Sequence, residues 1–145
     1  MPLCWRATKL RRTEGDKRGV FDHERLEVYQ LALELNHLVA GITPARGAAA
    51  LRDQLERATS SIVLCIAEGA GRRSPKDKRN FYAMARGSAT ESAAAMDVLM
   101  ARRLIRPELR KQARVLLLSI VRMLSRLSAP PPRQPAPERE PEQDP

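Results

Sequence analysis

The chain has 145 residues, of which 43% are hydrophobic and only five aromatic, and it carries a formal net charge of +9. That length suits one domain, and the scarcity of rings calls for a small-residue, aliphatic core. No run of 18 apolar residues is present, so no membrane-spanning helix is expected. The charged N-terminus lacks the apolar segment of a secretory signal. Cys4 and Cys65 are too few for a disulfide framework, so two reduced thiols in a cytoplasmic protein are the expectation.

Residues 1–20 hold six basic and two acidic groups and show no sustained period. They read as a flexible basic arm, with Arg6, Lys9, Arg11, Arg12, Lys17 and Arg18 available to phosphates and Trp5 its one large apolar group. An idle arm fits the same composition and is the favoured reading. A first helix is expected from about Asp22, a suitable N-cap, to about Ile42. Val28, Leu31, Leu35, Leu38 and Ile42 form one stripe, and Leu26, Tyr29 and Leu33 form an adjacent one. That face is wider than one partner helix needs. Gly41 and Pro44 end it, and a short loop (43–47) leads on to an antiparallel neighbour.

In the second helix Leu51, Leu55, Ala58, Ile62 and Cys65 recur at helical spacing. Gly69 and Gly71 are expected to stop it, because glycine accepts the left-handed conformation common at helix ends. Ser74-Pro75-Lys76-Asp77 restarts the chain as a third helix. Ser74 is its cap, Pro75 fits the first turn, and Asp77 stands where a capping-box acid belongs. Phe81, Ala85, Ser88, Ser92, Ala95 and Leu99 carry the stripe onward, so the second and third helices form an antiparallel hairpin.

Three segments of that hairpin, QLERATSSI, IAEGAGR and ARGSATE, together resemble the 23S rRNA intervening-sequence four-helix-bundle protein family. The resemblance spans roughly residues 21–127. It implies a short up-and-down bundle, assembly into a homopentameric ring, no enzymatic activity, and nucleic acid as the partner to test. Cys65 stands where the family often has Asn, which removes whatever polar contact that Asn makes. The helix after Glu91 is also unusually rich in alanine.

Arg106-Pro107 marks the next break, since a residue before proline avoids the helical region. A fourth helix follows, with the stripe Leu109, Ala113, Leu116, Ile120, Met123 and Leu127, widened by Leu117, Leu118, Val121 and Leu124. Residues 129–145, proline-rich and acidic, read as a disordered tail. A PxxP ligand is the less favoured reading of it.

Little in the chain suggests catalysis. His23 and His37 lie fourteen residues apart, roughly 21 Å on one helix, too far to share a metal. No paired-cysteine zinc spacing occurs. Gly69-Ala70-Gly71-Arg72 follows a helix rather than a strand and lacks the Lys-Ser/Thr of a phosphate loop. No cofactor is expected. Gln54, Arg57, Glu68, Ser88 and Glu91 are expected to form an interhelical polar network, with Arg57 reaching Glu91. Register-setting is the favoured role and a ligand site the alternative. Glu68, an acid at a helix C-terminus, needs a cation nearby, which Arg72, Arg73 and Arg79 supply.

Two basic clusters remain. Arg72, Arg73, Lys76, Lys78 and Arg79 surround the second connection. Arg102, Arg103, Arg106, Arg110, Lys111 and Arg114 surround the third. In an up-and-down bundle these are opposite poles, and a ring would repeat each as an annulus of positive charge. Each cluster also reads simply as a solvated helix end. Residues 21–127 carry 18 basic and 11 acidic groups, so the bundle itself is basic. The expectation is an all-α, up-and-down antiparallel four-helix bundle over residues 21–128, forming a ring-shaped homo-oligomer. It binds or scaffolds without enzymatic activity, with RNA, DNA or a nucleic-acid-processing protein as partner. A protein adaptor and an uncharacterised enzyme are the alternatives.

Overall fold

The computed structural model describes residues 20–43 and 47–133. The expected arm (1–19), Pro44 and the last twelve residues of the expected tail lie outside them. Among the described residues there are four α-helices and no strand: α1 Glu27–Ala40, α2 Ala49–Gly71, α3 Pro75–Ala101 and α4 Pro107–Leu127. A 3-10 turn, Asp22–Arg25, precedes α1. Helix α1 packs on α2 and α4, and α3 packs on the same two. Short connections make sequential neighbours antiparallel, so the four close into an up-and-down bundle.

The first helix departs from its predicted bounds. Leu26 adopts an extended backbone (φ −88°, ψ 123°) between the 3-10 turn and α1, so Asp22 is not the cap of α1. The apolar period runs through Leu26 unbroken, yet the break lets the 3-10 turn fold onto α2 as well as α1. The stripe centres also differ. In α1 the buried line is Val28, Ala32, Leu35 and Val39, continued by Ile42 just past its end, with Leu31 and Leu38 flanking it. In α4 it is Ala113, Leu117, Ile120 and Leu124, with Leu116 and Met123 at its margin. A bundle helix faces two neighbours at once, so its buried face spans both runs of leucines. Leu55, Ile62 and Ile66 of α2 and Leu99 of α3 complete the centre. Truncating any of these to alanine costs about 2–5 kcal/mol.

The restart at Ser74 is as expected. Its hydroxyl accepts the Asp77 backbone N–H at 3.4 Å, and Pro75 opens α3. Pro107 opens α4 behind an extended Arg106. The glycines behave otherwise. Helix α2 runs through Gly69 and Gly71, and Arg72 is its C-cap. Gly69 is there for space: a Cβ at that point would lie 3.0 Å from Phe81 Cβ and 3.0 Å from Tyr82 Cε1. With buried Ala85 and Ala89 of α3, it brings α2 and α3 into close approach. Gly87 of α3, by contrast, is exposed, and a Cβ there would meet nothing within 4 Å.

Polar bridging between helices comes mostly from residues outside the expected network, with Ser88 the member of that network that takes part. Asn36 Nδ2 donates to the Ala32 and Thr59 carbonyls, both at 2.9 Å, and its Oδ1 accepts from Ser60 at 3.3 Å. This ties α1 to α2. The Ser61 and Ser88 hydroxyls meet at 3.0 Å between α2 and α3, and Cys65 Sγ lies 3.8 Å from Ser61. The Arg57–Glu91 pair is absent. Both side chains are exposed, and no ion pair joins them. Gln54 reaches Glu91 weakly, at 3.4 Å on the surface. Both residues stand on the outer edges of their helices, where water competes for them.

Candidate nucleic-acid interface

The two basic clusters fall at opposite ends of the bundle, separated by the 27 residues of α3, about 40 Å at 1.5 Å per residue. At the α2–α3 end the tight turn Arg72-Arg73-Ser74 presents the first cluster. Arg72 pairs with the Glu68 carboxylate one helical turn back, supplying the compensation Glu68 requires. The same guanidinium sits 4.7 Å above the centre of the Phe81 ring. Lys78 Nζ donates to the Ala70 carbonyl at 2.7 Å and lies 3.5 Å from that of Gly69. It thereby satisfies carbonyls at the end of α2 that have no helical partner. Two of the five predicted cations are therefore engaged internally. Arg73 and Lys76 are exposed and Arg79 is half-buried, none in an ion pair with a described residue.

The α3–α4 end is built differently. After Arg102 the chain turns through Arg103 with φ 57°, the only non-glycine in the left-handed region among the described residues. Leu104 N–H donates to Leu99 O and Arg103 N–H to Met100 O, both at 2.9 Å. These are the two bonds of a Schellman closure, a position usually filled by glycine. Arg102, Arg103, Arg106 and Lys111 are exposed and make no ion pair with a described residue. Arg110 is the exception. Its Nη2 and Nε lie 2.6 and 2.8 Å from Asp97 Oδ1, clamping α4 to α3. Arg114 stands beside a shallow cleft between α3 and α4 whose floor is Ala93, Met96, Leu117, Leu118 and Val121.

Helix α4 as a whole carries five basic residues and one acidic. Its exposed Arg122 and Arg126 extend the positive surface beyond the end, which attention to the connections alone had missed. The polar residues Gln54, Arg57, Glu68, Ser88 and Glu91 converge on no common point. Tyr82 is the one described group with a displaced titration. Burial pushes its phenol above the ordinary 10.0, and the nearby Asp22 charge adds to the shift. Its ring lies against Gly69 in the α2–α3 packing.

Four antiparallel helices with cations concentrated at both ends define a basic four-helix-bundle protein. The 23S rRNA-intervening sequence protein family matches residues 24–126, and the chain belongs to it. No individual curated protein matches the chain. None of the described helices is long and apolar enough to cross a membrane.

Proposed function

We propose that this chain is a non-enzymatic, cytoplasmic binding or scaffold protein that engages nucleic acid through its sugar-phosphate backbone, chiefly at the α3–α4 end. The observation that carries the reading is Arg103. A left-handed arginine is less stable there than glycine by about 1–2 kcal/mol, and strained positions of this kind cluster at functional sites. Arginine at this point adds a third exposed cation between Arg102 and Arg106. Together with Lys111 they make a patch suited to consecutive phosphates, with no aromatic ring among the described residues at that end to read bases. The family's printed name, with its reference to rRNA, agrees with a nucleic-acid partner.

The working form we propose is a homo-oligomeric ring, most simply a pentamer. Leu64, Met84, Val115 and Leu118 all remain exposed on the outer surface of the single chain, as self-association requires. A protein-adaptor reading is favoured by the α3–α4 cleft, whose floor is almost wholly apolar. The two separate by salt. Affinity for oligonucleotides should fall steeply as salt rises, since phosphate contacts release counterions, whereas an apolar protein interface is insensitive. Light scattering on the same sample should give several subunits per particle. A monomer mass removes the ring, and absent or salt-independent binding removes the phosphate reading.

A further inference from the structure

The end of the bundle that holds the α2–α3 turn also holds aromatic rings. Phe21 is 71% exposed. One face of its ring stacks on His23, with centroids 5.5 Å apart and planes 11° from parallel. Among the described residues the rest of the ring is largely exposed. His23 leans in turn on Tyr29, with centroids at 4.6 Å. The Phe21 backbone N–H donates to the Glu24 carboxylate at 3.0 Å, which anchors the start of the 3-10 turn.

The position of this stack follows from the pairing of α1 with α2. Asn36 bonds Thr59 across that antiparallel seam. The 3-10 turn, some three helical turns before Asn36, therefore lies beside the C-terminal end of α2, on which it packs. Arg72, Arg73, Lys76 and Arg79 belong to the same end. There Arg72 already stacks its guanidinium on Phe81 at 4.7 Å. Among the described residues nothing comparable exists at the α3–α4 end, which has cations and no ring.

A duplex hides its base faces, whereas a single strand offers them. An exposed ring flanked by cations takes both parts of an unpaired nucleotide: the ring stacks on the base, and the cations hold the phosphates. We propose that the α2–α3 end is a single-strand contact, in which an unpaired base of RNA or DNA stacks on the exposed ring of Phe21 while Arg73, Lys76 and Arg79 hold the neighbouring phosphates. This rests on the nucleic-acid reading above and adds strandedness to it. A phenyl face does not distinguish ribose from deoxyribose, so both sugars belong in the test.

The experiment is fluorescence anisotropy of the full chain with labelled oligouridylate and oligothymidylate of about 12 nucleotides, and with a duplex of the same length. Phe21→Ala should weaken binding of both single strands about tenfold, the size of one lost stacking contact, and leave the duplex unchanged. Phe21→Tyr should bind as the parent does. Because Phe21 lies on the surface, circular dichroism should show all variants folded. Parental single-strand affinity in Phe21→Ala overturns the stacking proposal, as does an equal loss on strand and duplex. In either case a weakened Arg73→Glu/Arg79→Glu variant still upholds phosphate binding at this end. A parent chain that binds neither strand nor duplex overturns both readings together.

Discussion

The two ends of the bundle carry similar sets of cations, but the fold uses them differently. At the α2–α3 end the turn is tight, the helices touch through Gly69, and Arg72 and Lys78 are engaged with the protein's own carboxylate, ring and carbonyls. At the α3–α4 end the connection is longer and turns through the left-handed Arg103, and Arg102, Arg103 and Arg106 make no internal ion pair with a described residue. A cluster of positive residues in a sequence is therefore not yet a surface. Its capacity for an outside partner is what remains after helix ends and nearby acids have taken their share.

The sharpest way to break the tight end is Gly69→Ala. The added methyl meets Phe81 Cβ and the Tyr82 ring at 3.0 Å. Phe81 Cβ is fixed by the helix backbone, so α2 and α3 must separate, at a cost of about 1–3 kcal/mol. Thermal unfolding should show a clear drop, whereas Gly87→Ala, with open space around it, should match or exceed the parent. At the α3–α4 end the effect should be smaller and of opposite sign. Arg103→Gly relieves the left-handed strain but gives the unfolded chain more freedom, for a net gain of about 0.5 kcal/mol. The same variant should bind nucleic acid more weakly. Raised stability with unchanged affinity would mean that the arginine serves neither purpose.

Much of the fold was legible because its signals are local. Ser74 followed by Pro75, and Pro107 behind Arg106, fix helix starts through capping and backbone sterics that need no tertiary contact. Leu55, Ile62, Ala85 and Leu99 fell on the correct stripes because the apolar period is unambiguous there. What escaped was set by three-dimensional approach. Gly69 and Gly71 look alike in sequence, and only the proximity of Phe81 and Tyr82 separates a packing glycine from an indifferent one. Arg103 has no glycine signature at all. Within the expected polar network the Arg57–Glu91 pair is absent while Ser88 does bridge to Ser61, because a small rotation decides whether a residue at a helix edge faces a neighbour or water. Arg57 and Glu91 turned outward, while Asn36 turned toward α2. Arg57→Ala should accordingly change stability by no more than about 0.5 kcal/mol, as for an ordinary surface site. A loss of several kcal/mol in chemical denaturation would restore the buried pair.

The smallest expected effect concerns Tyr82, behind the tight end. Its phenol is held above 10.0 by burial and then by Asp22. The folded state thus favours the neutral form more than the unfolded state does. The associated stability is intact below pH 10 and is lost as pH climbs through the raised value. Tyr82→Phe should flatten the alkaline limb of the stability profile and leave neutral pH nearly untouched. An unchanged alkaline limb would place the phenol in contact with water.

The salt dependence of oligonucleotide affinity tests the central claim most directly, measured for the parent and for two triple charge reversals. Arg102→Glu/Arg103→Glu/Arg106→Glu should flatten the plot of log Kd against log salt by about three units, one for each lost phosphate contact. Arg72→Glu/Arg73→Glu/Arg79→Glu should flatten it by about two, since Arg72 is already held by Glu68 and Phe81. Parental slopes in both variants, with helicity intact, would contradict the account and leave the apolar α3–α4 cleft as the surface to pursue.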